Sequence, residues 1–319
     1  MPDNRMNVFF HYGALGDFVL TLPMLRRLVG PVTLISAWER AALAPALLGA
    51  DAKVTPMDIQ MWEFIRLHAE GGPTSVSPAI GELFSEAKHV VSFVSTGEDD
   101  WAKNVERLAP DAKRIYIDPR PPEGLAEHIG TWHLRQARDQ GLELSEPVEI
   151  KSGGKPRGPG RTGGPGETGG NRGPGGPVVV HPGSGGVDKC WPIERYEVLV
   201  GALIDRGISV LPLLGEAEAE RWPKERLDHW TRQKGAKVFG TLQELHAALA
   251  EASGYIGNDS GPTHLAAQMG LATMALFGPT DPRVWAPVGP SVTVLAPNSP
   301  EAMGWLEVQQ VLDACPDQG

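Results

Sequence analysis

Cysteine is nearly absent: Cys190 and Cys315 are the only two in 319 residues, and neither belongs to a CxxC pair. That excludes a disulfide framework and a cysteine-rich zinc site. No apolar run approaches the ~18 residues of a membrane span, and the opening stretch Val8 to Phe10 is too short for a signal-peptide core. The expectation is a soluble, cytoplasmic protein. Nor is there a basic excess, since 29 Lys and Arg face 39 Asp and Glu for a net charge of −10. Nucleic acid is therefore not the expected partner, because phosphate-backbone binding needs a concentrated basic surface. No HExxH and no clustered His/Cys set occurs, and Glu98-Asp99-Asp100 is not a DxD motif but suits a solvated helix start. No metal site is expected.

What is present reads as two α/β halves. Hydrophobic residues make up 41% and charged residues 21%, enough for a core in each half of a chain this long. The boundary is the stretch from Ser152 to Pro177, dominated by glycine and proline and without an apolar side chain. Such a composition cannot bury enough surface to offset its ordering entropy, so it predicts a flexible linker. An alternative use is contact of Lys155, Arg157, Arg161 and Arg172 with anionic lipid or an anionic acceptor. The expected organisation is a first domain over 1–151, the linker over 152–177 and a second domain over 178–319.

In the first half, strands are expected at Asn7–Phe10, Val32–Ile35, His89–Val94 and Arg114–Ile117, with a helix over Asp17–Leu28. In the second, Val178–His181, Ile208–Leu214, Gly254–Gly257 and Ala272–Phe277 read as strands. Helices over Ile193–Arg206, Leu242–Glu251 and Pro262–Met269 alternate with them. Such alternation favours parallel sheets covered by helices, with ligands beyond the carboxyl ends of the strands. Two such halves would place a ligand cleft between them.

Three glycine-containing loops fall at strand-to-helix turns. The first, His11 to Asp17, offers Gly13 and Gly16 for a tight turn, and Asp17 suits the N-cap of the next helix. It lacks the full GxGxxG spacing, so a dinucleotide oxidoreductase is poorly supported. The second, His181-Pro182-Gly183-Ser184-Gly185-Gly186, can form an anion nest, to which Lys189 would add a full charge. Trp191 suits the core and Pro192 the first position of a helix. The third, Gly257 to His264, brings free amides, the Ser260 hydroxyl and a helix dipole together. Asp259 and His264 also fit a capping pair and a core histidine. GNDSG is not a GxSxG elbow, which leaves a hydrolase weakly supported.

Three stretches resemble glycosyltransferase family 9: GALGDFVLTLP (Gly13 to Pro23), HPGSGGVDKCWP (His181 to Pro192) and GNDSGPTHLAAQMGLATMALFGPTDPRVWAP (Gly257 to Pro287). The resemblance spans most of the chain apart from the glycine-proline segment and the weakly marked stretch from Trp38 to Gly141. It implies a GT-B fold: two Rossmann-like domains with parallel sheets facing an interdomain cleft, the N-terminal one binding acceptor and the C-terminal one donor. It further implies inverting, metal-independent transfer of a heptose or related sugar from a nucleotide diphosphate, ADP-linked, to a glycan or glycolipid acceptor of the lipopolysaccharide-core type. No cofactor is implied, and peripheral contact with the inner-membrane surface is. By the same resemblance Asp17 is the general base, with Gly13 and Gly16 on the acceptor-side loop. Lys189 contacts donor phosphate and shares the catalytic role. Ser184, Glu218, Asp259, Ser260, Gly261 and His264 bind donor, Glu218 being preferred to Glu220 for the ribose. Cys190 and the long glycine-proline insert depart from the family pattern. The rival readings are a catalytically silent sugar-nucleotide-binding protein and a GT-B-like sugar-nucleotide epimerase.

Overall fold

The computed structural model describes residues 5–49, 52–146 and 175–315. The chain divides into two compact units, residues 1–148 and 149–319. The expected linker lies outside the described residues up to position 174. Among the described residues no helix is long and apolar enough to cross a membrane.

Unit 1 contains β1 (Met6–Phe10), α1 (Leu15–Leu25), β2 (Val32–Ser36), α2 (Trp38–Leu48), β3 (Val54–Asp58), α3 (Trp62–Arg66), α4 (Pro78–Ser85), β4 (Ala87–Ser92), α5 (Asp100–Leu108), β5 (Lys113–Tyr116) and α6 (Ile129–Asp139). The sheet runs β3-β2-β1-β4-β5, all parallel. Central β1 is buried from Asn7 to Phe10 because helices cover both faces, which is why its sequence is an apolar run and not an alternation. Phe10 anchors one face, with Phe64 and Trp101 packed edge-on at 5.6 and 5.0 Å. At the opposite end of β1, Asn7 Oδ1 accepts from His89 Nδ1 at 2.8 Å, and its Nδ2 donates to the Val29 carbonyl at 3.0 Å.

Unit 2 contains β6 (Val178–His181), α7 (Ile193–Asp205), β7 (Val210–Leu214), α8 (Glu216–Arg221), α9 (Lys224–Asp228), β8 (Lys237–Val238), α10 (Leu242–Ala250), β9 (Gly254–Asn258), α11 (Gly261–Gln268), β10 (Ala272–Leu276), α12 (Pro282–Trp285), β11 (Val292–Leu295) and α13 (Val308–Ala314). Its six strands are again parallel, in the order β11-β10-β9-β6-β7-β8. Both units are thus doubly wound. Strand order reverses between β1 and β4 in unit 1 and between β6 and β9 in unit 2. Loops leaving such a pair of strands diverge to opposite faces and open a crevice at their carboxyl ends.

Several local expectations are corrected. Helix α1 begins at Leu15 and ends at Leu25, so Asp17 is its third residue and Ala14 is the N-cap. Leu28, expected to extend the helix, instead makes an antiparallel bridge to Leu144. Pro192 is the N-cap of α7, one place earlier than expected. Strand β4 spans Ala87–Ser92, two residues short of Val94, because the chain turns out of the sheet there. Strand β3 has no apolar run to announce it: as an edge strand it tolerates Pro56 and ends on Asp58. Asp99 does cap α5, accepting from the Ala102 amide at 3.0 Å.

The two central strands of unit 2 are tied by one side chain. Asn258, fully buried at the end of β9, donates to the Pro182 carbonyl at 2.8 Å. Its Oδ1 accepts from the Trp191 amide at 3.0 Å and the Tyr196 hydroxyl at 2.9 Å. Replacing Asn258 with Leu should cost at least about 3 kcal/mol, because three buried polar groups lose their partner. Hydrogen exchange of the β6 and β9 amides should accelerate accordingly, with unit 1 unchanged.

Candidate functional site

At the crevice of unit 2, the loop after β6 meets the loop after β9. The glycine turn from Pro182 to Gly186 is followed by a short 3-10 turn, Val187–Lys189, which aims Lys189 back across the strands. Its ammonium donates to Asp259 Oδ2 at 2.8 Å. The same oxygen accepts from the Thr280 hydroxyl at 2.8 Å, and His264 Nε2 lies 3.5 Å from the other carboxylate oxygen. Burial alone would push the Asp259 carboxyl up. His264 and Lys189 outweigh it and bring the pKa to about 2. A carboxylate that acidic is a poor proton acceptor, so its chemistry here is to hold and orient cations.

The main chain beside it is equally fixed. Ser184 donates its hydroxyl to the Asp259 carbonyl at 2.9 Å. Ser260 caps α11, and its hydroxyl pairs with that of Thr263 at 3.0 Å, which engages it away from any nucleophilic role. Pro262 lies in the first turn of α11, where its missing N–H costs nothing. The amides of Gly261 and Thr263 remain at a positive helix end. Lys189, Ser184, Asp259, Ser260, Gly261 and His264 therefore gather in one place, and the arrangement suits a small polyanion.

Glu218 stands on the other side of the glycine turn. As the third residue of α8 it accepts from the Gly215 amide at 2.8 Å, and its carboxylate lies 3.6 Å from His181 Nε2. Burial raises its pKa, but His181 and the Gly215 amide outweigh this and hold it below the usual carboxylate range. A β-carbon on Gly183 would fall 2.0 Å from Glu218 Oε1, so any larger residue there would displace the carboxylate from its place behind the turn. Glu220, by contrast, is exposed. Two residues went unassigned from the sequence. Thr280 sits in the GPTDP stretch, and Arg221 braces the turn by donating to the Ser184 and Gly185 carbonyls at 3.1 and 2.9 Å. Arg221 lies one helical turn from Glu218 on α8, and that spacing was the available signal.

In unit 1, the loop after β1 is built around His11. This buried imidazole accepts from the Gly13 amide at 3.3 Å and packs between Phe18 and Phe93 at 5.7 and 5.6 Å. A β-carbon on Gly13 would lie 2.8 Å from the His11 ring and 2.9 Å from the Asp17 Cβ. Gly16 is the second residue of α1. Asp17 is exposed, and its Oδ2 accepts from the Ala14 amide at 3.2 Å, leaving Oδ1 for other use. Arg40 of α2 lies in the field of Tyr12, Glu39 and Asp17, and its buried Nε finds no partner among the described residues. Nothing in the motif had marked that cation. Burial first, then the charges of Arg40 and His133, lower the His11 pKa to about 3. Chiefly burial lowers that of His133 to about 4. Among the described residues no group of three or more His, Cys, Asp or Glu is placed to hold a metal ion.

Residues 171–310 match the model of glycosyltransferase family 9 (heptosyltransferase). Lipopolysaccharide heptosyltransferase 3 of Escherichia coli is 28% identical over 113 residues, 34% of this chain and 33% of that protein. Lipopolysaccharide heptosyltransferase 1 of Pseudomonas aeruginosa is 33% identical over 129 residues, 40% of this chain and 36% of its own length. The matched stretch thus spans about a third of each of these curated relatives. Likeness of fold extends much further. E. coli heptosyltransferase WaaC with ADP aligns at a TM-score of 0.62 and 19% identity, covering 96% of this chain and 98% of that one. A glycosyl transferase family 9 structure from Veillonella parvula aligns at 0.65 and 16% identity, over 97% and 95%. The fold is therefore GT-B, built from two parallel-sheet α/β units.

The buried imidazoles set an acid limit on unit 1. A base whose folded pKa lies below its unfolded value gives full stability above the unfolded pKa, near 6.5, and loses it as pH falls toward the folded one. His133 alone should withdraw about 2 kcal/mol by pH 5. Asp259, whose contribution is full above 3.8 and fades toward 2, should leave unit 2 intact over that range. Hydrogen exchange from pH 7 to 4.5 should show unit 1 loosening first. The change His133→Phe should flatten that slope, and an unchanged slope would count against the assignment.

Proposed function

Given a chain that is glycosyltransferase family 9-like, with residues 171–310 matching the heptosyltransferase model, we propose that it is an inverting, metal-independent glycosyltransferase. It moves a heptose or related sugar from a nucleotide diphosphate, ADP-linked, to a glycan or glycolipid acceptor of the lipopolysaccharide-core type. The observation that carries this reading is the Lys189–Asp259–His264–Thr280 cluster at the amino end of α11. It supplies what a departing diphosphate needs: a fixed ammonium, free backbone amides and a helix end of positive sign.

In this mechanism the acceptor hydroxyl attacks the anomeric carbon from the face opposite the leaving group. Its proton passes to Asp17 Oδ1, the oxygen not used by the Ala14 amide. The bond between the anomeric carbon and the diphosphate oxygen breaks with its electron pair on that oxygen, where Lys189 and the Gly261 and Thr263 amides receive the charge. Asp259 holds Lys189 in place, with Thr280 and His264 in turn fixing the carboxylate. Ser184 ties the two loops through the Asp259 carbonyl, and Ser260 sets the start of α11. Glu218, set behind Gly183, faces the donor's ribose. The family's relatives in the comparison, named for heptose transfer to lipopolysaccharide, support the choice of sugar and acceptor, as does the solved structure with ADP-2-deoxy-2-fluoro heptose. The work takes place in the cytoplasm, with peripheral contact at the inner-membrane surface where a lipid-linked acceptor would be met.

The division of labour is testable. Calorimetric titration with nucleoside diphosphates, in chelator, should select ADP. Lys189→Ala should weaken it about 10- to 100-fold, the worth of a charged hydrogen bond. Asp17→Asn can keep the cap to Ala14, so ADP affinity should hold within about twofold while turnover falls roughly 100- to 10,000-fold. Equal loss of ADP affinity in both variants would overturn the assignment.

A further inference from the structure

Unit 1 holds a pocket of about 330 Å³ at the crevice between β1 and β4. That is at the lower end of small-molecule sites, roughly 300–1,000 Å³, and about twice an engineered apolar cavity that accepts benzene. Tyr12 enters it from the loop after β1, Phe93 and Val94 from the loop after β4, and Phe64 and Ile65 from α3. Gln60 and His68 are its polar lining, beside six apolar or aromatic side chains, and no Lys, Arg, Asp or Glu lines it. Its rim stays uncovered, with Tyr12 58% and Ile65 52% exposed, and Trp62 of the same helix is equally bare. Surface aromatic and aliphatic side chains gathered at a sheet crevice mark a recognition site more often than an idle surface.

The pocket is mechanically continuous with the loop that carries Asp17. Gln60 donates to the Tyr12 hydroxyl at 3.3 Å and steadies that ring. Phe93 packs edge-on against His11, the imidazole that accepts from Gly13. A wall of the pocket and the turn of the loop therefore share one packed unit. A ligand whose apolar end fills the pocket past Tyr12 has its polar end beside the Asp17 loop.

We propose that this pocket is an apolar acceptor subsite: it takes an uncharged aryl or alkyl group attached to the acceptor sugar, beside the hydroxyl to be glycosylated. The inference rests on the transferase reading and narrows its acceptor to molecules with an apolar substituent next to the reacting sugar.

The full chain can be titrated with phenyl, hexyl and methyl β-glucoside, which share a sugar and differ only in the substituent. Phenyl or hexyl glucoside should bind at least about tenfold tighter than the methyl compound. The tighter of the two identifies the source as an aromatic aglycone or a lipid-like chain. Ile65→Asp, at a half-exposed position, and Tyr12→Ala should each remove that preference while ADP binding in unit 2 persists. No preference over the methyl glucoside, or a preference that survives Ile65→Asp, would overturn the subsite. Failure of the wild type to bind ADP would instead overturn the transferase reading, whatever the glucosides do.

Discussion

The buried amide of Asn258 is the constraint on which the unit 2 crevice depends. Its side chain reaches from the end of β9 to the Pro182 carbonyl, the Trp191 amide and the Tyr196 hydroxyl. Those groups belong to the segment that begins with the glycine turn and ends in α7. Without this tie the turn and Lys189 would be held to Asp259 only by the Ser184 and Lys189 bonds and the Arg221 brace. The position accepts little else: a carboxylate offers no donor for Pro182, and an apolar residue leaves every partner unpaired. Trp191, buried against Tyr196 at 4.9 Å, closes the same junction from beneath with apolar contact.

The two units prepare their crevices by opposite means. Unit 2 uses charge held in balance, with Asp259 set among Lys189, His264 and Thr280, and Glu218 paired with His181. Unit 1 uses uncharged burial: His11 and His133 lie among Phe18, Phe93 and Trp132, and exposed Asp17 is the polar group of the loop. Unit 2 buries its carboxylates in pairs with cations and imidazoles, whereas unit 1 leaves Asp17 in solvent.

Much of this was legible in the sequence where backbone geometry is written in residue type. Gly13 and Gly183 are places where a β-carbon would strike His11 or Glu218, and a glycine at a strand-to-helix turn can be read as such a demand. Strands β1, β6, β9 and β10 announced themselves as apolar runs because they are covered on both faces. What could not be read were contacts across long separations. The sequence places Lys189 and Asp259 70 residues apart, and it gives no sign that Thr280 joins them. Edge strand β3, carrying Pro56, lacks the pattern that marks a strand, and the walls supplied by Gln60, Phe64 and Ile65 lie just after it. The apolar pocket was invisible for that reason. Helix starts were legible in kind but not in place, since Asp17 and Pro192 each suit the first turn as well as the cap.

The bond between Lys189 and Asp259 has a kinetic side. A lysine in solvent samples many rotamers, and fixing it on a ligand costs about 0.5–1.5 kcal/mol of entropy. Here that freedom is surrendered during folding, because the ammonium is already held at 2.8 Å and only a third exposed. A diphosphate arriving at the α11 terminus would displace water from a charge that does not have to search. An anion binding there would do so in a single encounter step without a slow rearrangement, and affinity differences among related anions would then be expressed in how long each one stays.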